Sequence, residues 1–134
     1  LSHIIEHVED DSQLVSFLST KLSDKGVMLV NVPINEVWED PKHVRKYDSN
    51  YLTTLLSRCG LETVSIHTCD RLTSFFLVQE KVKEIGRMKW LLMKFLRFAF
   101  AVLPEVAGQQ FEKIFLRNHN DQQLIALARK AKIK

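Results

Sequence analysis

His3, Glu6 and His7 stand at i, i+3 and i+4 in the opening run Ser2-His3-Ile4-Ile5-Glu6-His7-Val8. Neutral imidazole can take a proton from a substrate hydroxyl near pH 7, and a nearby carboxylate can orient it. These three residues are therefore candidates for catalytic work. The alternative is a hydrogen-bonded turn that sets the entry of the following helix. His43 would complete a nitrogen-rich set, suited to a borderline metal rather than a hard cation. Proton transfer is the favoured chemistry, and no metal is expected.

A second group lies between residues 34 and 47, where Trp38, His43, Arg45 and Tyr47 fall in a stretch without periodicity. This stretch is expected to cover a substrate. Arg45 could clamp a phosphate or carboxylate with two parallel hydrogen bonds, or pair with Glu36, Glu39 or Asp40 to hold its own loop. Trp38 could line a pocket or pin the loop.

The elements that must position these groups follow from pattern. Asp10, Asp11 and Ser12 offer helix N-caps, and Leu14, Val15, Phe17, Leu18 and Leu22 recur at helical spacing. A helix is predicted over 12–24, with Gly26 as its C-cap. The apolar run Val27–Val32, stopped by Pro33, predicts a strand buried on both faces. The polar loop after it lies where open α/β sheets place ligands. Asp48 or Ser49 should cap a helix with Tyr51, Leu52, Leu55 and Leu56 as its buried stripe and Gly60 as its stop. Thr63–Thr68 predicts a second strand.

From Asp70 the pattern is helical to about Leu103, with a break near Gly86 and a further short helix around Phe111–Leu116. The tail Leu124–Arg129 has helical propensity but sits where a last strand would fall.

Composition bounds the partners. At 46% hydrophobic and 26% charged, 134 residues suffice for a globular core. The net charge of +3 is uneven: residues 1–80 carry 7 Lys/Arg against 12 Asp/Glu, and residues 81–134 carry 12 against 4. The basic third suggests an anionic partner. Lys83, Arg87, Lys94 and Arg97 form one stripe in the apolar segment 83–103, which reads as a substrate lid, a helix lying on an anionic membrane, or a core helix with a solvated edge. No specific nucleic acid is expected. Exposed apolar surface raises the possibility of a homodimer. Cys59 and Cys69 lack metal-like spacing and fit reduced thiols, hence a cytoplasmic location, with peripheral membrane association as the alternative.

The order of elements, with Ser2–Val8, the strand ending at Val32-Pro33, His43-Val44-Arg45-Lys46-Tyr47 and the closing Asp121–Lys130, resembles the C-terminal half of a class I S-adenosylmethionine-dependent methyltransferase. The likeness is to the bacterial branch with Ser-His-x-Leu-Glu-His-Val and His-Val-Arg-x-Tyr segments. It implies an α/β fold: about three strands of a Rossmann-like sheet, the last antiparallel, with a helical insertion. Residues 1–69 would be core elements, 70–120 the insertion or lid and 121–134 the final strand and tail, together a single partial domain. The resemblance departs at Ser23-Asp24-Lys25-Gly26 and at Arg58-Cys59-Gly60-Leu61, and it barely touches 70–120.

By the same resemblance, Leu1 and Ser2 would contact S-adenosylmethionine, and the acceptor would be a small molecule or an acceptor of glycan or lipid type. The four glycines are well separated, so no glycine-rich turn is present to grip that cofactor. The chain alone is expected to be inactive. A non-catalytic interaction or membrane-surface module of the same fold is the alternative.

Overall fold

The computed structural model describes residues 1–36, 40–81 and 86–131. Trp38 and Lys83 lie outside the described residues. Contacts divide the chain into two units, Leu1–Cys69 with Gln122–Lys134, and Asp70–Asp121.

In the first unit, a 3-10 turn (Ile5–His7) leads into α1 (Asp11–Lys21), β1 (Val27–Pro33), α2 (Ser49–Arg58), β2 (Leu61–Cys69) and, after the second unit, β3 (Gln123–Lys130). The three strands order as β1-β3-β2, with β3 antiparallel to both neighbours. The last strand thus forms at the predicted place, because pairing on both edges outweighs the small helical preference of its Ala and Leu. Ser2 makes a parallel bridge to Asn31. Asn31 N–H donates to Leu1 O at 2.8 Å, and His3 N–H donates to Asn31 O at 3.0 Å.

Caps explain the helix limits. Asp10 accepts from Gln13 N–H at 2.8 Å to start α1, and Asp48 accepts from Tyr51 N–H at 2.7 Å to start α2. Gly60 ends α2 at φ 74°, a conformation that favours glycine. Gly26 does not cap α1 as predicted. The helix stops at Lys21 with an extended Leu22, and Gly26 N–H closes a separate turn onto Ser23 O at 2.9 Å.

The core lies on one sheet face, where Met28, Val30, Val32, Leu124, Ala126 and Ala128 meet Val15 of α1 and Leu52, Leu55 and Leu56 of α2. α1 and α2 pack on this face, and β1 alternates: Val27 and Leu29 are exposed on the other. That corrects the expectation of a strand buried on both sides. The apolar run looked continuous because both its faces carry apolar residues, not because both are covered. Tyr51 is also more exposed than its predicted place in the α2 stripe implies. β2 is longer than predicted and bulges between Thr63 and Ser65.

The second unit holds α3 (Arg71–Lys81), α4 (Arg87–Ala101) and α5 (Glu105–Phe115). Phe76 and Leu116 are its buried apolar anchors, and rings run from Phe76 to Phe100 and from Phe100 to Phe111 at centroid separations of 6.3 and 4.6 Å. Glu112 Oε1 accepts from Leu72 N–H at 3.0 Å, and Arg71 pairs with Asp121 at 3.0 Å, tying the ends of the unit together.

Candidate functional site

β1 and the Leu1–His3 segment run parallel, so the turn after the segment and the loop after β1 leave from the same strand ends. Open α/β sheets bind ligands at such carboxyl ends. The turn and the loop are then clasped together. Val44 N–H donates to Glu6 O at 2.7 Å, and His7 Nδ1 lies 3.2 Å from Lys42 O.

The strongest part of the clasp centres on Asp11. Its Oδ2 accepts from Tyr47 Oη at 2.9 Å and Tyr51 Oη at 3.0 Å, and pairs with Arg45 Nη1 at 2.6 Å. Arg45 Nη1 also donates to Tyr51 Oη at 3.0 Å, and its Nη2 donates to Glu9 O. Ile5 O lies 3.2 Å from the Tyr47 hydroxyl as a second acceptor. Burial pushes the Asp11 carboxyl up, but hydrogen bonds from Tyr47, Arg45 and Tyr51 outweigh it and hold the group below its usual range. Tyr47 is pushed far above its usual range by burial and by its bond to Asp11.

Arg45 and Tyr47, named above as substrate-facing candidates, thus use their polar groups to fix the loop. The partner of Arg45 is Asp11 rather than an acid of its own loop. Neither Asp11 nor Tyr51 stood out in the sequence. The available signal was the doubled acid Asp10-Asp11: one residue serves as N-cap, which frees the next to face inward.

His43 is held differently. Its Nδ1 lies 2.9 Å from Glu36 Oε2, and its Nε2 lies 3.9 Å from Asp40 Oδ2. In the neutral ring, Nδ1–H donated to the carboxylate leaves the lone pair on Nε2. The same reasoning places the His7 lone pair on Nε2, since Lys42 O can only accept. The two rings sit 4.7 Å apart between centroids. A cavity of about 460 Å³ is lined by Glu36, Asp40, Pro41, His43, Val44 and Arg45, with Lys46 at its side.

Glu6 is fully buried, and neither carboxylate oxygen accepts a hydrogen bond among the described residues. Its charge partner is His3 Nδ1 at 3.3 Å, on a residue held at φ 52°. Ligand atoms of Glu6, His7 and His43 lie within 4.8 Å of one another.

Ser2 is exposed and Leu1 half-buried beside Asn31. No glycine builds a cofactor cradle. Gly60, Gly86 and Gly108 have open space where a Cβ would stand, and the three atoms nearest such a Cβ at Gly26 belong to Ser23 of its own turn.

No protein-family model matches the sequence, and no curated protein matches it. Among solved structures the chain is similar to an S-adenosylmethionine-dependent methyltransferase from Archaeoglobus fulgidus, at 19% identity and a TM-score of 0.53. The match covers 97% of this chain and 57% of that one, so the chain spans little more than half the length of this structural relative. At this identity the likeness establishes the fold. The chain shares a mixed α/β fold with that structure, its last strand antiparallel to both neighbours, as the resemblance implied.

Proposed function

We propose that the chain forms the acceptor side of an S-adenosylmethionine-dependent methyltransferase, with a small molecule or a glycan- or lipid-type molecule as methyl acceptor. The observation that carries this reading is the parallel seat of Leu1–His3 on β1. It brings Ser2–His7 and the described parts of the following loop, 34–36 and 40–47, to the same strand ends. The extent of the likeness to a longer methyltransferase supports the view that the chain is part of a larger enzyme.

In this reading the cofactor is gripped mainly outside these residues, with Leu1 and Ser2 at its margin, and supplies an electrophilic methyl group. The chain's own residues orient the acceptor and remove its proton. His7 and His43 each present Nε2, one fixed by Lys42 O and the other by Glu36. Glu6 acts through His3, and Arg45 and Tyr47 act by holding the loop rigid. Such positioning is worth most where two reactants must meet in line.

Calorimetry with S-adenosylmethionine tests the reading. This chain is expected to bind weakly or not at all, and a longer product of the same reading frame to bind tightly. Tight binding by this chain alone, or none by the longer form, overturns it.

A further inference from the structure

We infer that α4 is a docking surface for an anionic lipid membrane, with its axis in the plane of the surface. On a helix of 100° per residue, Met88, Leu91, Leu92, Phe95, Phe98 and Val102 fall within an arc of about 120°. All six are exposed, Met88 by 84% and Phe95 and Phe98 by 66% and 68%. This is not the face that packs within the unit. Met93, Leu96 and Phe100 are half-buried on a separate arc, and Phe100 meets the rings of Phe76 and Phe111. The helix therefore has two apolar faces, and its own unit covers one.

Charge selects the occupant. α4 carries four basic residues and no acidic one. Lys94 borders the exposed stripe, with Trp90 and Arg97 next around the helix, and Lys94 Nζ stands 3.9 Å over the Trp90 ring. A basic flank on a helix that itself carries no acid, beside a continuous apolar stripe with tryptophan at the boundary, matches the chemistry of a lipid surface: anionic headgroups above, acyl chains below. A second copy of the same helix would bring like charges together. The helix does not cross the bilayer. Its 15 residues span about 22 Å at 1.5 Å each, short of a hydrocarbon core of about 30 Å. No helix among the described residues is long and apolar enough to span. The surface stands independently of the proposed methyl transfer.

The test is flotation of the whole chain with phosphatidylcholine vesicles, with and without about a third phosphatidylglycerol. In a Trp38→Phe background the remaining tryptophan, Trp90, reports insertion by a blue shift of its emission. Binding is expected to the anionic vesicles. It should weaken as salt rises from about 0.1 M to about 1 M and the screening length shrinks from about 10 Å to about 3 Å. Leu91→Ser with Phe95→Ser should reduce binding more than about tenfold, since the stripe supplies the inserted apolar area. Lys94→Ala with Arg97→Ala should reduce it about 25-fold, at about fivefold per basic side chain near the surface. Circular dichroism checks that both variants keep the fold. The inference is overturned if the chain ignores anionic vesicles, or if its binding is indifferent to the loss of Leu91 and Phe95. It is also overturned if the chain is a dimer that those serines dissociate and that binds no vesicle, which would assign the stripe to a second copy.

Discussion

Asp11→Ala should be the most costly single change in the clasp. The carboxylate Oδ2 receives two tyrosine hydroxyls and the Arg45 guanidinium, all between 2.6 and 3.0 Å. Hydrogen bonds to a charged group are worth about 1.5 to 3 kcal/mol net, but three on one oxygen do not add. Breaking a buried pair costs about 3 to 5 kcal/mol. The loss should fall at the lower end, about 3 kcal/mol, because Arg45 keeps Glu9 O and some access to water. Tyr47 has less to fall back on, with only Ile5 O at 3.2 Å. Against a typical domain stability of about 5 to 15 kcal/mol, the variant should remain folded but shift visibly in urea. Hydrogen exchange should quicken at Val44, whose N–H is held by Glu6 O across the clasp. Pairing Asp11→Ala with Tyr47→Phe in a double-mutant cycle should give a coupling of about 1 kcal/mol or more. A loss below about 1 kcal/mol for Asp11→Ala, with unchanged exchange at Val44, would refute the clasp.

Four further outcomes follow. Because the Asp11 carboxyl is held below 3.8 in the folded chain, its contribution is complete above the unfolded value near 3.9 and fades as pH falls through the folded one. Stability titrated from pH 5 down to about 2 should therefore drop less steeply in Asp11→Asn than in the parent chain; equal slopes would show that Asp11 does not carry the linkage. Gly60→Ala should cost about 1 kcal/mol by urea unfolding, since the residue sits at φ 74° with open space around it, so the penalty is conformational rather than steric. Leu124→Ala, at a fully buried position of the central strand, should cost about 2 to 5 kcal/mol in the same assay. Cys59 and Cys69 form no disulfide among the described residues, so both should react with a thiol reagent in denaturant without prior reduction, and the buried Cys59 should be the slower in the native chain.

The elements of the first unit were legible because local chemistry marks them. Asp48 and Gly60 bracket α2, Pro33 closes β1, and the order of strands and helices leaves few topologies open. The clasp was not legible, because its bonds join residues about 35 to 42 apart in sequence. Arg45 had three acids close by in the chain, and nothing local favoured Asp11 over them. His43 shows the opposite case: its partner Glu36 lies in the same loop and was within reach of a local reading. The exposure of Val27 and Leu29 escaped for another reason. Periodicity reports which residues are apolar, whereas burial depends on which face the helices cover. In the second unit α4 has apolar residues on two arcs, which blurs the period that would separate inside from outside.

The position of β3 bears on how the chain folds. The central strand is made from residues 123–130, yet its neighbours begin at residues 27 and 61. β1 and β2 do not pair with each other, so the edges they turn toward β3 stay open until it arrives between them. A growing chain must carry two unpaired strand edges and the apolar side chains of α1 and α2 through the synthesis of the whole second unit. Loop closure over such separations is slow relative to local helix formation, and open edges of this kind invite pairing with other chains. Helices should appear first in refolding, with the sheet locking in one late step, and any deletion that removes Leu124–Ala128 should abolish the first unit as a whole rather than trim it.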